Sequence, residues 1–189
     1  MSQAKVLTEA EIKRVLAVVQ AQGQHAARNR LVFQLSFLGG MRAGEIASLK
    51  LHHIVNEDDT VRDRIHLLMD ETKGNRGRTV ILGNKLQKEI SRYLKNRRWH
   101  SLDAPLIRSQ KGGHFNATTM VMLFRRIFDA AGIVDARSHS GRRSFLTTLA
   151  QKGCSVFVLQ QLAGHKSIST TQKYVMVNEM QLFESANMV

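Results

Sequence analysis

Residues 139–174 read HSGRRSFLTTLAQKGCSVFVLQQLAGHKSISTTQKY. Two histidines, two adjacent arginines and a tyrosine are separated here by apolar residues at helical spacing, which marks a succession of short helices. The first has Phe145, Leu146 and Leu149 on its buried side and stops at Gly153. His139 and Arg142, three residues apart, leave it from one face. Ser155 caps a second helix that turns Val156, Leu159 and Leu162 inward. Gly164 ends that helix and leaves His165 exposed at its terminus. Ser167, Ser169, Thr170 and Thr171 open a third, short helix that carries Tyr174.

These residue types suit one chemistry when they are gathered. An arginine presents a planar fork of donors that fits phosphate oxygens, and it keeps its charge. A histidine exchanges protons near neutral pH. A tyrosine hydroxyl, with a free pKa of about 10, is a poor nucleophile unless a cationic pocket stabilises the developing charge. Together they suggest transfer of a phosphodiester onto Tyr174 with no metal required. From this stretch alone, a basic helical domain with scattered histidines and a buried tyrosine fits equally well.

Two further stretches separate these readings. Residues 39–51, GGMRAGEIASLKL, form a glycine-led turn into a helix with Arg42 in its first turn. Residues 64–82, RIHLLMDETKGNRGRTVIL, form a β-hairpin with Lys73 at its tip. With these in place the chain resembles the tyrosine recombinase (phage integrase) family. That family's signature is an arginine in a Gly-Leu-Arg-x-x-Glu turn, a hairpin lysine, His-x-x-Arg, Leu-Gly-His, and a tyrosine nine residues on. Arg42, Lys73, His139, Arg142, His165 and Tyr174 fill those positions in order. Each motif is weak by itself, whereas the ordered set is specific.

Composition agrees with a nucleic-acid partner. Lys and Arg total 28 against 15 Asp and Glu, a formal charge of +13 in 189 residues, so a polyanion is expected, nucleic acid before an anionic membrane surface. A hydrophobic fraction of 43% with one proline fits a mainly helical globular domain. No apolar run approaches the roughly 20 residues needed to span a bilayer. The N-terminal residues lack the apolar core of a signal peptide, and the single Cys154 excludes an intrachain disulfide or a cysteine-based zinc site. A cytoplasmic setting follows, and its bacterial or phage-encoded, nucleoid-associated character is implied by the resemblance only.

Elsewhere the chain alternates helices and turns. Thr8 and Glu11 make a capping box ahead of Ile12, Val15, Leu16 and Val19. A second helix carries Leu31, Val32, Leu35 and Leu38 and ends at Gly39 and Gly40, where the backbone comes close before Arg42. Glu45, three residues past Arg42, either orients that guanidinium through a carboxylate fork or makes an ordinary helix-surface ion pair. Asn84 caps a helix with Leu86, Ile90 and Leu94 inward. Asn116 caps another that reaches Ala131, with Val121, Leu123, Phe124, Ile127 and Phe128 in the core. The expected fold is therefore mainly α with a small antiparallel β-hairpin (α+β), one domain over residues 1–189.

The resemblance implies a mechanism and partners. Arg42 and Arg142 would clamp a scissile DNA phosphate and His165 would add a hydrogen bond. Tyr174 would attack phosphorus, Lys73 would protonate the leaving 5′-oxygen, and His139 would assist the tyrosine's proton transfer. No cofactor, metal or ATP is implied. Arg76, Arg78, Arg125, Arg143 and Lys166 are the expected further DNA contacts, and Arg143 stands where many members carry histidine. Residues 175–189 either fold back onto their own domain or dock on a neighbouring protomer in a synaptic complex. Many members place a core-binding domain ahead of the catalytic one. Here the pattern begins near residue 8, as in the fimbrial phase-switch invertases and minimal phage integrases, so weak intrinsic site affinity, or help from a DNA-bending protein, is expected. Two rivals are a type IB topoisomerase with a similar pocket and a DNA-binding regulator that has lost cleavage.

Overall fold

The computed structural model describes residues 3–68, 77–95, 100–110, 112–175 and 186–187. Helix α1 (Glu9–Gln20) starts at the capping box, in which the Thr8 hydroxyl accepts from the Glu11 N–H and the Glu11 carboxylate accepts from the Thr8 N–H. It buries Val15 and Val19 against α2 (Ala26–Gly39). Helix α2 is central, with Leu31, Val32, Phe33, Gln34, Leu35 and Ser36 all buried. A helix enclosed on every side has no polar face to show, so its sequence lacks a strong stripe. Gly40 ends it at φ 60°, a left-handed cap that favours glycine, and a Cβ there would lie 2.6 Å from the Phe145 ring.

Helix α3 (Ala43–Ser48) follows at once and packs on α5 (Ala117–Ala130). Strands β1 (Arg64–Leu67) and β2 (Arg78–Ile81) pair antiparallel, with Ile65 opposite Val80 and Leu67 opposite Arg78. Ile65, Leu67 and Val80 point into the core. The expected strands are 64–69 and 79–82; the first ends earlier, at Leu67, the second is shifted by one residue, and Met69 lies outside the described residues. Helix α4 (Asn84–Lys95) lies against α2. Its first turn closes on the Gly83 carbonyl, so Asn84 is a helical residue and not the cap.

Helix α5 buries Met120, Leu123, Phe124, Ile127 and Phe128 as a stripe. Val121 was expected among them but is 43% exposed, because it sits between the 3.6-residue repeats of that stripe. Helix α6 (Ser140–Gln151) makes the most extensive helix contact of the fold, against α2. It then packs through Leu146 and Ala150 on α7 (Val156–Ala163), forming a second small core with Leu159 and Ala163. Helix α8 (Ile168–Gln172) is short, and Tyr174 stands in the turn after it, not on it. No described helix is long and apolar enough to cross a membrane.

Candidate active site

Three chain reversals converge on one place: the Gly40 turn between α2 and α3, the start of β2, and the C-terminus of α7. Each delivers an arginine or a carbonyl. Arg42 precedes α3 in extended conformation, and Glu45 reaches back from the first turn. One Glu45 oxygen accepts from the Arg42 backbone N–H at 2.8 Å, and the other accepts from its guanidinium at 2.8 Å. The expected carboxylate fork exists, but it holds Arg78. The Arg78 Nε and Nη2 meet the two Glu45 oxygens at 3.0 and 2.7 Å. Arg78 Nη1 donates to the Leu162 carbonyl at 2.8 Å. Glu45 is 1% exposed and the Arg78 side chain 7%, so this is a buried ion pair. Burial works to raise the Glu45 pKa, but the hydrogen bonds and charge of Arg78, followed by Arg42, outweigh it and hold the carboxyl below its ordinary value.

Arg142 enters from α6 and is buried. Its Nη1 donates to the Gly40 carbonyl and its Nη2 to the Ala163 carbonyl, which ties the α2 terminus to that of α7. The same Nη2 lies 3.2 Å from His165 Nε2. Burial, then the charges of Arg42 and Arg78, pull the Arg142 pKa down to about 9, which leaves it protonated at neutral pH. His165 follows Gly164, whose φ of 60° closes α7. A Cβ on Gly164 would lie 2.6 Å from Arg78 Cδ, so the absent side chain lets the arginine stem pass. The imidazole is half-buried, not exposed as its place past a helix end suggested. Desolvation, then Arg142, Arg42 and Arg78, lower its pKa to about 4, so it is neutral at pH 7. His165 Nδ1 is 2.9 Å from the Thr171 hydroxyl.

Tyr174 is half-buried and its ring stacks on that of His165, with centroids 5.9 Å apart and an interplanar angle of 18°. Arg142, His139, Arg143, Lys173 and Tyr174 line a depression of about 440 Å³. Beside it, an open groove of about 950 Å³ is lined by Arg42, Arg78, His165 and Lys166, and Thr170 borders both. Arg42, Arg142, His165, Tyr174 and His139 thus share one surface of the chain. His139 is exposed at the head of α6, its Nδ1 3.4 Å from the Ser138 hydroxyl. Lys73 and Arg76 lie outside the described residues.

The residues expected to contact DNA are placed differently from one another. Arg78 turns inward, as described. Arg143 donates to the Ala4 carbonyl at 2.6 Å and holds the N-terminal segment on α6. Arg125 is exposed, 3.7 Å from Asp129 one turn on. Lys166 is exposed at the groove's rim. Sequence reasoning grouped Thr171 with the residues that open α8 and gave it no role at the site. Its one signal was a position three residues before Tyr174, which places both at one end of a short helix. Among the described residues no group of three or more His, Cys, Asp or Glu side chains could hold a metal ion.

Such a site sets a group of cationic side chains beside a phenol. Residues 5–181 match the Phage integrase family, and the chain belongs to it. It is similar to tyrosine recombinase XerA of Thermococcus kodakarensis, 32% identical over 175 residues, covering 92% of this chain and 58% of the relative. XerA of Pyrococcus horikoshii is 29% identical over 185 residues, covering 96% and 60%. The chain therefore spans about 60% of the length of these relatives. Among solved structures, XerA recombinase superposes with a TM-score of 0.74 at 24% identity, covering 99% of this chain and 66% of that one. XerH site-specific recombinase, bound to its palindromic difH substrate after cleavage, gives 0.71 at 25% identity, covering 98% and 53%.

Proposed function

We propose that this chain is the catalytic part of a site-specific DNA recombinase that cleaves and rejoins strands through a 3′-phosphotyrosyl link. The observation that carries the reading is the stacking of Tyr174 on His165 beside the buried Arg142, all within one chain. Arg42 and Arg142 bind the non-bridging oxygens of the scissile phosphate and His165 donates a further hydrogen bond. Their charge offsets the negative charge added in the five-coordinate transition state. The Tyr174 oxygen bonds to phosphorus and gives up its proton, which His139 helps to remove. The bond from phosphorus to the 5′-oxygen breaks, and that oxygen takes a proton from Lys73. The link conserves the phosphodiester's energy, so a 5′-hydroxyl of the same or another duplex can reverse the step without ATP. Exchange between two duplexes gives integration, excision or inversion.

The partners are double-stranded DNA and further protomers in a synaptic complex. Of residues 175–189, on which docking in that complex would depend, 176–185 and 188–189 lie outside the described residues. An accessory DNA-bending protein is a further proposed partner. The test uses a pool of duplexes with a randomised centre and a nick that traps the covalent intermediate. Wild-type protein forms an adduct that survives denaturation, in EDTA as well as in buffer, and Tyr174→Phe forms none. Sequencing the trapped DNA reads out the site. An equal yield of adduct from Tyr174→Phe removes Tyr174 as the nucleophile.

A further inference from the structure

Thr171 has no exposed surface and makes two contacts that the mechanism above does not use. Its hydroxyl is 2.9 Å from His165 Nδ1, and its carbonyl accepts the Tyr174 N–H at 2.9 Å. One residue therefore touches both the imidazole and the backbone of the proposed nucleophile.

The proton on His165 can be located from its other neighbour. A guanidinium donates and never accepts, so Arg142 Nη2, 3.2 Å away, makes His165 Nε2 an acceptor. In a neutral ring the proton is then on Nδ1, directed at the Thr171 oxygen. A phosphate oxygen also only accepts, so gripping it through Nε2 needs the opposite tautomer. Among neutral side chains a hydroxyl can serve either form, accepting from Nδ1–H or donating to a bare Nδ1. When a phosphate takes the Arg142 hydrogen that Nε2 held, the Nδ1 proton leaves to solvent and another arrives at Nε2. The Thr171 hydroxyl then rotates from acceptor to donor, and no net proton is gained.

We infer that Thr171 is a positioning residue: its hydroxyl aims His165 and supports both tautomers in turn, while its carbonyl holds the turn that presents Tyr174. The inference rests on the proposed strand-cleavage reading for its functional consequence, but its first measurement needs no cleavage. In the full chain labelled with 15N, the shifts of the two His165 ring nitrogens report which one carries the proton. Without added oxyanion at pH 7, with chloride as the only salt anion, the proton is expected on Nδ1. Saturating inorganic sulfate, standing in for the phosphate, is expected to move it to Nε2.

The second measurement is the rate of adduct formation on the nicked duplex pool. Thr171→Val keeps the shape and loses the hydroxyl, and is expected to slow the adduct about tenfold or more with DNA retention unchanged. Thr171→Ser restores the hydroxyl and is expected to stay within about threefold of wild type. A wild-type ring that holds its proton on Nε2 without sulfate overturns the inference, whatever the variants do. So does a folded Thr171→Val chain that forms adduct at the wild-type rate. If the valine variant does not fold, the wild-type tautomer and the serine variant decide. Loss of all adduct from wild type would instead strike at the cleavage reading and leave the tautomer result standing.

Discussion

The pair formed by Glu45 and Arg78 is the part of this site most exposed to a stability test. Glu45→Gln keeps the volume and removes the charge. The carboxylate accepts from the Arg42 backbone, the Arg42 guanidinium and two nitrogens of Arg78, while being 1% exposed. A glutamine oxygen can take part of that set, but its NH2 then faces guanidinium donors. Arg78 would remain buried with only the Leu162 and Gly40 carbonyls to accept from it. Breaking a buried pair from one side costs about 3–5 kcal/mol. In a chain of this size each kcal/mol moves the midpoint by about 2–4 °C, so Tm should fall by about 6–20 °C.

A double-mutant cycle in urea sharpens the measurement. Arg78→Met alone strands the carboxylate with Arg42, whereas the double variant Glu45→Gln/Arg78→Met buries no unmatched charge from this pair. The double variant should therefore recover part of the loss, with a coupling of about 2 kcal/mol or more. The pH dependence has a fixed sign. The folded pKa of Glu45 lies below the unfolded value of about 4.3, so its contribution is complete above that value. It is lost as pH falls through the folded pKa, and Glu45→Gln should remove that loss. A cost under about 1 kcal/mol for Glu45→Gln, together with additive single variants, would refute the reasoning that this carboxylate is what holds the arginines.

Sulfate should stabilise the folded chain beyond chloride at matched ionic strength, because Arg42, Arg78 and Arg142 lie close enough to repel one another and Glu45 is the carboxylate the first two share. At about 100 times its Kd the gain is about 2.7 kcal/mol, a rise in Tm of about 5–11 °C by differential scanning. Gly164→Ala should cost about 1–2 kcal/mol from the left-handed backbone alone, and it should also slow adduct formation by displacing Arg78. His165 is held near a pKa of about 4, so the unfolded chain binds a proton that the folded one refuses between pH of about 6.5 and that value. Stability should therefore fall as the pH is lowered across that window, and His165→Gln should flatten the urea midpoint there.

How far the sequence disclosed this differs by element, for physical reasons. Local signals held where the chain makes its own boundary. The Thr8–Glu11 box, the Ser155 and Asn116 caps and the left-handed Gly40 and Gly164 stand where the sequence places them. The ordered motif set led to the family, and the geometry brings Arg42, Arg142, His165 and Tyr174 together. What stayed illegible depends on contacts between distant residues. That Glu45 forks Arg78, 33 positions away, and not its neighbour Arg42 is decided by where β2 crosses the α3 terminus. Burial of His165 depends on Thr171 and Arg142 closing over it, which no helical spacing reports. Val121 was misplaced because an apolar residue just off the buried stripe reads like one on it.

The same geometry explains why arginines that look alike in sequence separate into different tasks. Arg78 reaches the site from a strand paired in register with Leu67, and its donors are taken by a carboxylate and two carbonyls. It supplies charge, lowering the pKa values of Arg142 and His165, but few free hydrogens for a ligand. Arg42 keeps more of its guanidinium open, since its side chain is 24% exposed and donates once to Glu45. Arg142 lies between these cases, buried yet shared between two carbonyls and a histidine that an anion can displace. A lysine at position 142 would keep the charge but could not reach both carbonyls and the ring in one plane. Arg142→Lys should therefore lose adduct formation by tenfold or more while DNA retention, which depends on charge, changes far less. Equal losses in retention and adduct would mean that Arg142 contributes charge alone, and that its planar fork is not what the site requires.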